Sequence, residues 1–106
     1  MKKYLWEILV PVENINSMLR EEFDIKVHQA WDEKVRQVAG GLTIMKTGKG
    51  NWIDTNEVCI EKMIPVRIMC TKKQINDIAD MTAEHYRQTA VMFYKVSNEV
   101  IIKMYD

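Results

Sequence analysis

GGLTIMKTGKGNWIDTNEVCIEKMIPVRIMC (40–70) decides the fold. Two runs rich in aliphatic, aromatic and β-branched residues flank Asp54-Thr55-Asn56-Glu57. That tetrapeptide has turn chemistry, so the stretch predicts two antiparallel strands closing a long hairpin. Gly48 and Gly50 interrupt the first run and predict a bulge or bend within it. Pro65 lies inside the second run, where a residue without an N–H predicts a bulge or register break.

On the N-terminal side, HQAWDEKVRQVA repeats Val27, Trp31, Val35 and Val38 at helical spacing among polar residues, an amphipathic helix closed by Gly40-Gly41. Before it, residues 12–27 are polar and aperiodic, and YLWEILV (4–10) alternates as a first strand. On the C-terminal side, Thr71-Lys72-Lys73-Gln74 forms a capping box, in which the threonine oxygen and the glutamine side chain each take a free amide. The helix it opens carries Ile75, Ile78, Ala79, Thr82 and Tyr86 on one face. AVMFYKV (90–96) reads as a fourth strand, and VIIKMY as a short additional one after a Ser97-Asn98-Glu99 turn. The order β-α-β-β-α-β predicts an α+β ferredoxin-like sandwich over 1–106 as a single domain, an antiparallel sheet with two helices on one face.

That arrangement leaves one sheet face without a helical layer. Strand parity sends Trp6, Ile8, Val10, Ile64, Val66 and Ile68 toward the helices. It sends Leu5, Glu7, Leu9, Met45, Met63, Arg67 and Met69 the other way, and Val91, Phe93 and Lys95 are expected to join them. Each apolar side chain here gains ~1.5–3 kcal/mol on burial, so together they rival the ~5–15 kcal/mol stability of a domain. Apolar area of that size marks an interface, and the expected partner is a second copy of the chain. Glu7 and Arg67, on strands expected to be neighbours, would neutralise each other there.

Composition bounds the function classes. The chain has 106 residues, 47% hydrophobic and 28% charged, with fifteen basic residues balancing fifteen acidic ones. That is globular composition, and scattered basic residues at zero net charge argue against a nucleic-acid partner. MKKYLWEILVPVEN imitates an export signal only faintly, because Glu7 and Pro11 interrupt it and no small-residue cleavage site follows. No run reaches membrane-span length. Cys59 and Cys70 fall in one extended stretch about 35 Å apart, beyond the ~7 Å limit of a disulfide. Free thiols and the missing signal predict a cytoplasmic protein.

Chemistry-bearing groups gather at one end of this topology: His28, Lys49, Trp52, His85, Tyr86 and Gln88. Two imidazoles there could hold a metal or relay a proton, yet no carboxylate or cysteine has ligand spacing beside them, so neither metal nor cofactor is expected. A single histidine near a helix end is more often solvated or capping. Thr47-Gly48-Lys49-Gly50 lacks the G-x-x-x-x-G-K-[ST] spacing and the following helix of a phosphate loop. Trp52 is expected to pin the hairpin rather than stack on a ligand. Asp32 and Glu33, and likewise Asp77, Asp80 and Glu84, read as solvated helix-surface charges.

GGLTIMKTGKGNW (40–52), a strand, a helix ending AEHYRQTAV (83–91) and a further strand resemble a family of small bacterial and phage or plasmid proteins with a GGLT…KGxW core. More distantly they resemble a secreted domain family of unknown function. The resemblance runs from about His28 onward and implies a ferredoxin-like fold without implying an activity. The 41–70 hairpin also resembles that of PII-type signalling proteins, whose ligands bind near such a loop. The leading expectation is a non-enzymatic, homo-oligomeric binding or accessory protein, with a small ligand or protein partner near the 47–58 hairpin. The alternative is a small enzyme of the dimeric α+β barrel type, using His28 or His85 as acid/base beside Tyr86.

Overall fold

A strand of alternating residues, Tyr4–Pro11 (β1), runs through the middle of the sheet, and its apolar parity explains that position. The computed structural model describes residues 1–106, apart from the side chain of Asp54. After β1 come α1 (Ile25–Ala39), β2 (Thr43–Ile44), β3 (Gly48–Asp54), β4 (Glu57–Cys70), α2 (Lys72–Tyr86) and β5 (Phe93–Ser97). The sheet order is β2-β4-β1-β5, with β3 also pairing β4, and every pairing is antiparallel. Counting β2 and β3 as one interrupted strand, this is the expected βαββαβ order.

The interruption falls at 45–47, just before the glycines, and Pro65 stands opposite it. Contrary to the expected register break, β1 and β4 pair without interruption from Tyr4↔Cys70 to Pro11↔Met63, through Leu9↔Pro65. Leu9 N–H donates to the Met92 carbonyl on the β5 side, and the Pro65 carbonyl accepts from Met45 N–H on the β2 side. The donor that Pro65 lacks would therefore point at the gap between β2 and β3. The proline breaks the partner strand and leaves its own ladder with β1 intact.

Side-chain parity follows this register. Trp6, Ile8 and Val10 of β1 and Val66, Ile68 and Cys70 of β4 are buried with Trp31 and Val35 of α1 and Ile75, Ile78 and Tyr86 of α2. The Trp6 indole N–H donates to the Cys70 carbonyl at 3.1 Å, so no polar atom of that ring is stranded. Phe93 and Val91 pack against this core, with Phe93 paired to Ile8 and edge-on to Trp6 at 6.2 Å. Lys95, opposite Trp6, sits above the Tyr4 ring at 4.2 Å. These three expected open-face residues are corrected accordingly: Tyr94, opposite Glu7, takes that side instead.

On the open face, Arg67 Nε donates to Glu7 Oε1 at 3.0 Å, and the Tyr94 hydroxyl donates to Glu7 Oε2. Glu7 is only 8% exposed, on a face with no helix above it. Leu5, Leu9, Met63 and Met69 surround it half-buried, and Met45 is exposed. The same parity continues up the hairpin to Glu61, Cys59 and Trp52, because Trp52 pairs with Cys59. At ~3.3 Å per residue β4 runs about 46 Å, which accounts for most of the molecule's 52 Å long axis. No strand forms over 101–106, so VIIKMY is not an additional strand within this chain.

Both helix ends are closed as their sequences require. Gly40 adopts φ 91° and its N–H reaches Arg36 O, a conformation that costs glycine least. At α2 the Gln74 amide donates to Thr71 Oγ1 at 3.1 Å and the Thr71 amide to Gln74 Oε1 at 3.0 Å. Thr71→Ala removes one arm of that box and is expected to lower stability by about 1 kcal/mol, read from the urea midpoint.

Candidate functional site: the cleft beneath α1

Asp24 begins the site. Its carboxylate accepts the Lys26 amide at 2.8 Å and starts α1 at Ile25, which sets His28 in the first turn. The last turn of α2 brings His85 and Tyr86 alongside. Arg87 ends that helix in the left-handed region at φ 54°, and its carbonyl accepts from Asn16 Nδ2 at 2.9 Å. The 12–24 segment is thereby tied to the end of α2. Phe23, from that segment, meets the Tyr86 ring edge-on at 5.1 Å and the His28 ring at 6.2 Å.

Tyr86 is buried, and its hydroxyl lies 2.7 Å from His28 Nδ1. Burial, and then the negative charge of Asp32, push the phenol's pKa far above its ordinary range. Burial also holds His28 below its usual value, against a raising effect of Asp32, while His85 adds to the lowering. The phenol is thus the donor and Nδ1 the acceptor, which places the imidazole proton on Nε2. Asp32 follows His28 at i+4 on the same side of α1. Burial raises its carboxyl pKa, opposed by Arg36 and His28.

Beside these groups lies a cleft of about 160 Å³. Val10, Ile64 and Val66 of the sheet and Trp31 of α1 form its apolar walls, with Ile25 and Ile44 at the mouth. His28, Gln29, Asp32 and Tyr86 supply its polar edge. Small-molecule sites have this character: apolar walls and a few convergent polar groups that fix orientation.

The six expected site residues divide. His28 and Tyr86 line the cleft together. His85 is near them but committed: its Nε2 lies 2.7 Å from the Val27 carbonyl, to which it donates, and its Nδ1 faces Lys34 Nζ at 3.4 Å. It ties the first turn of α1 to the last turn of α2. Gln88 continues the cap of α2 through its backbone N–H to Ala83 O. Lys49 pairs with Lys62 on the hairpin, two positions along β4 from the cleft-lining Ile64. Trp52 folds its ring over the Gly50 backbone, where an added Cβ would come within 2.4 Å of it. Sequence reading missed Asp32, Gln29, Ile25 and Ile44. The His28–Asp32 i,i+4 spacing was the available signal, and it is also the spacing of an ordinary solvated helix face. Among the described residues no three His, Cys, Asp or Glu side chains converge as metal ligands.

His28 gives the site a pH dependence. The folded chain holds it below its unfolded value of about 6.5, so the unfolded chain takes up the proton first. Its contribution is full above about pH 6.5 and is lost as pH falls through that value toward the folded one. Asp32, shifted upward, acts in the opposite sense at lower pH, near the ordinary carboxylate value of about 3.9. The melting temperature is expected to fall between pH 7 and pH 5.5, with a visibly flatter slope in His28→Gln.

No family model matches the chain, and no curated protein matches it. Solved structures do. CutA1 from the psychrotrophic bacterium Shewanella sp. SIB1 superposes with TM-score 0.66 at 13% identity, covering 98% of this chain and 85% of that one. The periplasmic divalent cation tolerance protein CutA from Archaeoglobus fulgidus gives TM-score 0.63 at 12% identity, over 95% of this chain and 88% of that one. A phage SAM lyase in complex with S-methyl-5′-thioadenosine gives 0.66 at 11% identity, over 97% and 87%. The fold is ferredoxin-like. At these identities the likeness extends to the fold and no further. No helix among the described residues is long and apolar enough to cross a membrane.

Proposed function

We propose that this chain is a homo-oligomeric, non-enzymatic binding protein that takes a small, largely apolar ligand into the His28–Asp32–Tyr86 cleft. The observation that carries this is the buried Tyr86–His28 hydrogen bond at the edge of an apolar cleft. It leaves the imidazole Nε2–H as the free donor of a ring that lines the cleft together with Asp32 and Gln29, for a ligand with an acceptor on one edge of an apolar body. A flat heterocycle the size of a nucleobase suits a cleft of about 160 Å³, and a structural neighbour binds S-methyl-5′-thioadenosine, which carries one. The site lies at the root of the 47–58 hairpin rather than on it. Assembly is supported by the open sheet face, where Leu5, Leu9, Met45, Met63 and Met69 surround a neutralised Glu7–Arg67–Tyr94 group. Two unbridged cysteines support a cytoplasmic address.

Titration with S-methyl-5′-thioadenosine and adenosine, followed by calorimetry and thermal shift, tests the site. The expected result is a shift of several degrees that His28→Ala or Tyr86→Phe reduces at least tenfold in affinity. Silence at millimolar concentration for both nucleosides would overturn the ligand class. Divalent copper, zinc and manganese serve as the comparison arm, because other neighbours are divalent cation tolerance proteins.

A second reading is a small enzyme with His28 as acid/base, favoured by its lowered pKa beside a phenol and by the lyase neighbour. Incubation with S-adenosylmethionine and chromatography for S-methyl-5′-thioadenosine separates the two readings. Turnover abolished by His28→Ala supports the enzyme.

A further inference from the structure

Beyond β5 the chain makes a tight turn and then leaves its own sheet. Ser97 Oγ accepts the Glu99 amide at 3.1 Å and donates to the Glu99 carbonyl at 2.8 Å. Val100 follows half-buried, in a depression shared with Lys2, Lys3 and the open-face residue Met69. The chain therefore departs beside Met69, at the rim of the open face, past the polar groups of Lys2, Lys3, Asn98 and Glu99. Past that point contact with the sheet ends: Ile101, Ile102, Met104 and Tyr105 are 71%, 64%, 87% and 79% exposed. Val100-Ile101-Ile102-Lys103-Met104-Tyr105 is strand-forming in composition, yet no ladder forms within this chain.

We infer that residues 100–105 are an assembly arm that lies across the open sheet face of a second copy, while the partner's arm covers this copy's face in return. The inference rests on the homo-oligomer reading and names the segment that makes the contact. Three features support it. Extended at ~3.3 Å per residue, the arm spans about 20 Å, close to the length of the face from Leu5 to Met63. Strand alternation turns Val100, Ile102 and Met104 toward the covered face with roughly 300 Å² of exposed side chain, so two exchanged arms and the faces they cover come to about 1,200 Å², the low end of a stable interface. Arm and face are present once in each copy, so reciprocal exchange leaves neither uncovered, as a closed head-to-tail ring also would. On the covered face Glu7 and Arg67 already pair, with Tyr94 on the second carboxylate oxygen, and strand alternation turns Lys103 of the arm to the outer side, so the contact strands no charge.

Sedimentation equilibrium of the full chain tests this against two variants, Ile101→Asp/Ile102→Asp on the arm and Met45→Asp on the face, each checked by thermal melting. Both sites are exposed in the single chain, so both variants are expected to remain folded. The expected result is an associated native chain and at least 100-fold weaker association for each variant. A native chain that stays monomeric at high concentration overturns the oligomer reading and the arm with it. A native oligomer that survives the arm substitutions overturns the arm alone. Dissociation by the arm variant but not by Met45→Asp overturns the open face as its seat.

Discussion

Trp31→Ala is expected to lower unfolding free energy by about 3–5 kcal/mol, the range for deleting a buried tryptophan. Trp31 is enclosed between the helices, and its indole N–H donates to Thr82 Oγ1 at 2.9 Å. Thr82 in turn donates to the Ile78 carbonyl at 2.6 Å, so its hydroxyl stays bonded after the substitution. The cost is therefore mainly cavity and lost transfer energy, with little from a stranded polar atom. Against the ~5–15 kcal/mol of a whole domain, such a loss moves the urea midpoint by about a fifth or more. Because Trp31 is also a wall of the cleft, ligand affinity should fall in the same variant. Trp31→Phe, which keeps most of the volume, should recover the larger part of both. A loss of unfolding free energy below about 1 kcal/mol would show that the helices do not pack through this residue.

The second large effect concerns the open face. Arg67→Met leaves the Glu7 carboxylate with Tyr94 alone and is expected to cost about 1–3 kcal/mol, the penalty of an incompletely satisfied buried group. The Arg67 side chain is 40% exposed against 11% for Glu7, so water tempers the loss. Glu7→Leu/Arg67→Met removes both charges together and should lie close to the native value, since two apolar side chains of similar length replace an ion pair. The coupling energy from this cycle, read by urea denaturation, is the measured quantity. If the double variant loses as much as Glu7→Leu and Arg67→Met lose in sum, the coupling is zero and the pair does not act as a unit.

How much of this was legible beforehand depends on the kind of signal. The capping box at Thr71 and the Gly40 cap are local chemistry, so the bounds of both helices near them could be read directly. The face of α2 was also legible, because Ile75, Ile78, Ala79, Thr82 and Tyr86 repeat at helical spacing and are all buried. Strand β5 was harder. Phe93 and Tyr94 are both good strand formers, and a one-residue choice of parity exchanges their faces. What settles the choice is tertiary: Met92 accepts from Leu9, and Ile8 faces Phe93. Pro65 was misread for a similar reason, since its missing donor matters only on the side where a partner strand exists. Residue type and topology sufficed to bring Tyr86 and His28 together at one end of the sheet, where the cleft lies. They did not suffice for Asp32, because its desolvation comes from α1 lying against the sheet, and no local pattern records that.

The two thiols differ in a way that has practical use. Burial pushes Cys70 up to about 11, whereas Cys59 is half-buried on the projecting hairpin. Near pH 8 only about one Cys70 in a thousand is ionised, and the thiolate is the species that alkylating reagents attack. A maleimide dye should therefore attach at one position, beside Trp52, without any engineered cysteine. Its emission would report whatever approaches the hairpin ribbon, independently of the cleft some distance down the same strand.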